Sequence, residues 1–281
     1  MRPAVIQACN DLQLTAGWVT PFFRVSEGVP KMSELKKFIA PFLAPNVKVV
    51  LQIMGNDPAK LAETARRGMA AGADGIDLNC GCPSAQVVRH GAGAACMQNM
   101  DNTARIIEAV RRAVPESFFS VKTRLGFKDR AESAVFLPLW ENAGQPDLFT
   151  LHYRTAEEGY APVAGRSCRL REARQLIRYA GVFGNGDIVS TAEALQLCSE
   201  CALDGVMIGR GFWRDPFILV RHLLSEPLSQ EQARRKLWAK LAEIPYRRGC
   251  WSLGSAIEMA TLIMGSNSAE AVKLKAAFRA K

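Results

Sequence analysis

No stretch of the 281 residues approaches the run of about 18 apolar residues that a membrane-spanning helix needs, so no membrane partner is expected. The opening, MRPAVIQACNDLQLTAG, carries acidic and polar residues where a secretory leader needs an unbroken apolar segment, and a cytoplasmic protein is expected. The eight cysteines lack the regular close spacing of a small secreted scaffold, which points to reduced thiols. A four-ligand zinc site is not expected. Cys198 and Cys201 form a CxxC, but the other close pair, Cys80 and Cys82, is spaced CxC and makes a poor half-site. No GxGxxG opens the first crossover, which argues against a doubly wound dinucleotide-binding sheet.

What is present is an alternation of short β-rich runs with helical patterns, the mark of βα units around a parallel sheet. Strands are predicted over residues 18–26, 47–53, 75–80, 118–125, 148–155, 181–186 and 205–211. Helices are predicted between them, including one with Asp57 as N-cap and Pro58 at its first position. Seven successive strand-helix units fit a (β/α)8 TIM barrel that lacks its first strand. The N-terminal residues 1–14 have the character of a helix that should follow a strand, and an in-frame upstream extension encoding that strand is expected. After Gly211 only helical patterns follow, one of them opened by Ser229 and Gln232 at capping-box spacing. The expected division is a barrel domain over 1–211 and a small all-helical domain over 212–281. From Phe212 onward there are 12 Lys or Arg against 6 Asp or Glu, so +6 of the chain's +9 lies there. That balance suits a polyanion-facing appendage or a solvated basic helix face.

In a barrel the chemistry sits where strands end. The polar residues at those ends are Gln52, Asn79, Cys82, Lys122, Arg124, His152, Arg154, Asn185, Asp187 and Arg210. The last two strands end in FGNGD and IGRG, whose glycines let backbone N–H groups approach an anion, so a phosphorylated ligand or cofactor is implied. The stretch DLNCGCPS, residues 77–84, leaves open on its own whether its two thiols bind a metal, bridge, or act chemically.

The stretch IDLNCGCPSAQVVRHGAGA resembles the signature of the tRNA-dihydrouridine synthases, and VKTRLGF, LHYRTAEEGY, GNGDI and GVMIGRG resemble that family's later strand ends in order and spacing. The wording DLNCGCPS is nearest the bacterial C-type subgroup. The resemblance covers roughly residues 18–211. It implies an FMN-containing barrel that reduces the C5=C6 bond of specific uridines in tRNA, with NADPH as electron source. It also implies FMN contacts from Gln52, Lys122, His152, Asn185, Gly186, Asp187, Gly209 and Arg210. Cys82 would be the proton donor, and Asn79, Arg124 and Arg154 would face the flipped uridine.

Physical chemistry runs parallel to this. Carbon 5 needs an acid once hydride reaches carbon 6, and a thiol with an ordinary pKa of about 8.5 stays mostly protonated at neutral pH. Lys122 can favour a reduced, anionic flavin, and the target base must leave the RNA stack. In the tail Arg234, Arg235, Lys236, Lys240, Arg247 and Arg248, interleaved with Trp238, Tyr246 and Trp251, suit phosphate contacts and stacking. Two departures stand out. The Pro-Met stretch of the family's first strand is missing, and Glu258 with apolar neighbours lies where the family has a basic helix. A flavin barrel acting on a small pyrimidine and a catalytically impaired RNA-binding relative remain competing readings. The expected form is a monomer with tRNA as partner, and the sequence points to no particular protein partner.

Overall fold

Every residue of Gly75–Cys80 is buried, as a run without a polar face must be when both sides of its sheet are covered. A computed structural model of the protein, which describes residues 3–224, 228–244 and 253–279, builds this run into a parallel sheet wound in chain order. Its strands are β1 (Gly17–Val19), β2 (Phe23–Arg24), β3 (Lys48–Met54), β4 (Gly75–Cys80), β5 (Phe118–Arg124), β6 (Leu148–His152), β7 (Gly181–Asn185) and β8 (Gly205–Met207). Both β1 and β2 pair with β3, so the strand predicted over 18–26 is one strand in two pieces. The break falls at Pro21, which has no N–H to give to a ladder. Thr20 and Val25 on either side still donate to Val50 and Met54 carbonyls at 3.0 and 2.8 Å. The result is a TIM-barrel-like sheet of seven strand positions. Among the described residues no ladder joins β8 to β1. Trp18 of β1 and Ile208 just after β8 are the apolar side chains that touch both large core clusters.

The outer layer is α1 (Pro3–Asp11), α2 (Met32–Ile39), α3 (Pro58–Ala70), α4 (Ala85–Arg89), α5 (Met100–Ala113), α6 (Ser133–Gly144), α7 (Arg166–Arg174) and α8 (Thr191–Cys201). The first helix stands before β1, as the sequence predicts. Asp57 caps α3 by accepting from the Lys60 N–H at 3.0 Å, with Pro58 next to it. Leu61 and Ala65 of α3, Ile106 and Val110 of α5, and Phe136 and Trp140 of α6 turn inward onto the strands in one core cluster.

The N-terminal end of the sheet is closed by a repeated device. Asp74, Asp147 and Asp204 each stand one residue before a strand, and each carboxylate accepts from the second N–H of the preceding strand: Val49 at 2.9 Å, Phe119 at 2.8 Å and Val182 at 2.8 Å. The same three residues donate their own N–H to the Val49, Phe119 and Val182 carbonyls. Adjacent parallel strands are thereby locked in register where they enter the barrel.

Beyond Gly211 the α-helices among the described residues are α9 (Gly211–Arg214), α10 (Gln230–Glu243), α11 (Leu253–Met264) and α12 (Ala269–Arg279). The Ser229 and Gln232 capping box forms in both directions, at 3.1 and 2.8 Å. Leu237 and Leu241 of α10 and Met259 and Ile263 of α11 pack with Phe212 in a second cluster. Val5, Ala8 and Cys9 of α1 join the same cluster, so the first helix packs with the last ones.

Candidate active site

Side chains two apart on a strand share a face, so register stacks them in layers. Gln52, Asp77 and Ser120 are register partners on β3, β4 and β5. One layer higher Asn79 pairs with Lys122, and higher still Arg124, His152, Asn185 and Met207 run across β5 to β8. Above these layers, at the C-terminal ends of the strands, opens a cavity of about 830 Å³.

All the predicted site residues line this cavity except Gln52 and Arg154. Gln52 lies beneath it, buried, with its amide held between Asp77 (2.7 Å) and Asn79 (2.9 Å). Arg154 is also buried, bonded to the Asp187 carboxylate and the Ala161 carbonyl, with its Nη1 unpartnered. Arg124 uses its guanidinium to fix loops, donating to the Gly81, Thr155 and Gly159 carbonyls at 2.9, 2.7 and 2.9 Å.

The two thiols of DLNCGCPS part company. Cys80 belongs to the buried core, where burial, with Cys96 beside it, pushes its thiol well above the ordinary range. Cys82 is half-buried and faces the cavity, on a turn whose Gly81 and Cys82 N–H groups both donate to Asn79 Oδ1, at 3.2 and 3.0 Å. Gly93 crosses directly behind it with φ +61, a conformation that favours glycine, and a Cβ there would strike the Cys82 carbonyl at 2.7 Å.

The electrostatics are cationic. Lys122, Arg124, Arg210 and Arg214 line the cavity against one carboxylate, Asp187. Burial brings Lys122 down to about 8, with Asp77 opposing that fall. Burial and the nearby Arg124, Lys122 and Arg154 charges hold His152 down to about 3, so its ring is neutral. Its Nδ1 accepts the Arg154 N–H at 3.4 Å, which leaves the proton on Nε2. Asp187, itself at a positive φ of 54°, joins Arg154, Tyr153 Oη and Arg210.

The lining also includes side chains to which the sequence pattern assigns no role, among them Phe22, Tyr160 and Arg214. Tyr160 is 64% exposed, with the Arg210 and Arg124 guanidinium carbons 5.0 and 5.5 Å from its ring centre. Its position at the end of LHYRTAEEGY is visible in the sequence; its place between two arginines is not. Phe22 is brought to the rim by the break at Pro21.

The donor set fits a phosphorylated flavin. Lys122, Arg210 and Arg214 supply positive charge, and His152 Nε2 supplies a neutral donor. At Gly209 a Cβ would meet nothing within 4 Å, which leaves the backbone of the last loop open to a ligand.

Comparison with known proteins bears on the family and the fold. The family model described as "Dihydrouridine synthase (Dus)" matches residues 4–247. The chain is 32% identical over 204 residues to the tRNA-dihydrouridine(16) synthase of Haemophilus influenzae, covering 72% of this chain and 63% of that protein. It is 33% identical over 187 residues to the tRNA-dihydrouridine(47) synthase [NAD(P)(+)] of Coprinopsis cinerea, covering 62% of this chain and 28% of that one. The chain thus spans less than two thirds of the length of these relatives. A solved structure of a variant of NCR from Zymomonas mobilis shares the fold, with a TM-score of 0.58 at 12% identity and 87% coverage of both chains.

Proposed function

The chain belongs to the dihydrouridine synthase family, and from that premise we propose that it reduces the C5=C6 bond of a uridine in tRNA to dihydrouridine. The observation that carries the reading is Cys82: a half-buried thiol on a hydrogen-bonded turn, facing a cationic cavity at the strand ends. Bound FMN, itself reduced by a nicotinamide, would supply the hydride for carbon 6; the NAD(P)(+) in the Coprinopsis relative's name supports that electron source.

The chain's own residues supply the rest. Lys122, His152, Asn185 and the loops carrying Gly186, Asp187, Gly209 and Arg210 would hold the cofactor, with Arg210 and Arg214 toward its phosphate. Positive charge on Lys122 favours the anionic, reduced form over the neutral one. Cys82 Sγ gives its proton to carbon 5, opposite the face that receives hydride. Asn79 and Arg124 border the same space and would meet the uracil edge, while Arg154 acts through Asp187. Tyr160, held between two guanidinium groups, offers a stacking face to a base that has left its helix.

The C-terminal helices would contact the tRNA backbone. On α10, Arg235 pairs with Glu231 and Glu270, and Lys240 with Glu243 and Asp11. Arg234 and Lys236 enter no ion pair among the described residues. Tyr246, Arg247, Arg248 and Trp251 lie outside the described residues. The Haemophilus relative's name and the wording DLNCGCPS support position 16 as the target. Cytoplasmic location as a monomer completes the reading. The test is direct: the purified protein, supplied with FMN and NADPH, should bind flavin and form dihydrouridine in unmodified tRNA, mapped by position. Flavin binding with turnover of a free pyrimidine instead would favour the small-molecule reading, and RNA binding without flavin the non-catalytic one.

A further inference from the structure

One fully buried acidic side chain in the layers below the cavity transfers no proton in the reaction proposed above. Asp77 is fully buried on β4. Its carboxylate accepts from Ser120 Oγ at 2.6 Å and from Gln52 Nε2 at 2.7 Å. An ionised carboxylate has only acceptor sites, so the Gln52 amide must present its amino end here and its carbonyl on the other side. That carbonyl accepts from Asn79 Nδ2 at 2.9 Å. The Asn79 amide is thereby turned in the same sense, and its Oδ1 accepts from the Gly81 and Cys82 N–H groups at 3.2 and 3.0 Å. Each amide has a donor end and an acceptor end, so one carboxylate sets the direction of every link between β3 and the thiol's backbone.

We infer that Asp77 is a positioning residue for the proposed reduction, its ionised carboxylate orienting the Gln52 and Asn79 amides that hold the Cys82 turn and serving as the counter-charge of Lys122. The inference rests on the reading given above for the reaction, but the hydrogen-bond chain is a property of the protein alone. The groups whose charges act on Lys122 are Asp77 on β4, Cys82 on the following turn, Arg124 on its own strand and His152 on β6. Of these, Asp77 is the carboxylate. Burial lifts it to about 6 against the Ser120 and Gln52 hydrogen bonds, while Lys122 stands at about 8. The pair is ionised on both sides between those values, which brackets neutral pH.

The test is Asp77→Asn, which keeps the shape and removes the charge; an amide at 77 can turn either way, so the chain loses its fixed direction. Hydrogen exchange at the Gly81 and Cys82 amides, measured on protein without flavin or RNA, should accelerate about tenfold, with Phe119 and Val121 on β5 unchanged. In FMN-loaded enzyme turning over unmodified tRNA, the alkaline limb of the pH profile should move to lower pH, because Lys122 has lost the carboxylate that keeps it protonated. Wild-type exchange at Gly81 and Cys82 overturns the inference, and so does an unmoved alkaline limb. If no variant or wild type makes dihydrouridine, the proposed reaction fails while the exchange result still judges Asp77. Should Asp77→Asn not fold, Ser120→Ala takes its place: stripped of one hydrogen bond, the carboxylate protonates more readily. The pH below which Gly81 and Cys82 lose protection should then rise from near 6 in the wild type, and no rise overturns the inference.

Discussion

At the N-terminal end of the barrel, Arg111 directs its donors to the Gly144, Ser117 and Gln145 carbonyls and the Asp147 carboxylate, at 3.2, 2.9, 3.1 and 2.8 Å. At the opposite end Lys122 points into a cavity, and its Nζ makes no hydrogen bond among the described residues. Both are cations beside a strand. One has its donors taken up by the fold; the other has a counter-charge in Asp77 but keeps its donors free. The same contrast runs through the acids. Asp74, Asp147 and Asp204 each bind a strand's backbone, whereas Asp187 at the mouth gathers Arg154 and the exposed Arg210 into a cluster that faces the cavity. With Asp77 as a counter-charge that makes no hydrogen bond to it, Lys122 keeps its donors free for the anionic cofactor proposed above.

The largest effect that would sharpen this comparison comes from the thiols at the mouth. Cys82→Ala should keep its fold and flavin and still accept electrons from NADPH, yet lose on the order of a hundredfold or more in single-turnover dihydrouridine formation. Cys80→Ala, in the core behind it, should instead cost about 1 kcal/mol of stability and leave turnover near wild type. Normal turnover by Cys82→Ala would move the acid elsewhere.

Next in size is the alkaline dependence. Lys122 is protonated below about 8 and loses its charge above it. If that charge is what the mouth offers the cofactor, turnover should fall as pH rises through that value, and Lys122→Met should be slow at every pH and lack this limb. A profile for Lys122→Met that still breaks near the same pH assigns the limb to another group.

A smaller effect belongs to the closed end. Asp147→Ala removes the acceptor of the Phe119 N–H and the carboxylate partner of Arg111, and should lower stability in urea by about 1–2 kcal/mol without changing turnover of the folded enzyme. A comparable loss of turnover would mean that the two ends are coupled.

The smallest concerns the tail. Arg234→Ala with Lys236→Ala should weaken tRNA binding modestly and flatten its salt dependence by about one unit of slope per lost phosphate contact. Arg235→Ala should change the slope less, since Glu231 and Glu270 already engage that side chain. Equal slopes for all three would show a solvated face.

Much of this was legible along the chain, for a physical reason. The β4 strand, the Asp57 cap with Pro58 and the Ser229 capping box are decided by residues within a few positions of one another, and each forms where the sequence predicts it. Pro21 is equally local, yet whether it ends a strand or merely interrupts one depended on β3 offering Val50 and Met54 on either side. The predicted site residues are mostly brought together because in a parallel barrel every strand end points the same way.

What the sequence by itself determined, then, is the order of strands and helices, the polar residues at the strand ends and the family. Which of those residues reach the cavity was left to tertiary structure. Gln52 and Arg154 have the right residue type and placement but turn to Asp77, Asn79 and Asp187 instead. Tyr160 reaches the rim because Arg124 and Arg210, distant in the chain, approach its ring. The direction of the Asp77 to Cys82 chain likewise needs β3, β4 and β5 in one register. Local pattern fixes the face and period of a side chain; which partner meets it across the barrel is set by the register between strands, and the chemistry of the mouth depends on that partner.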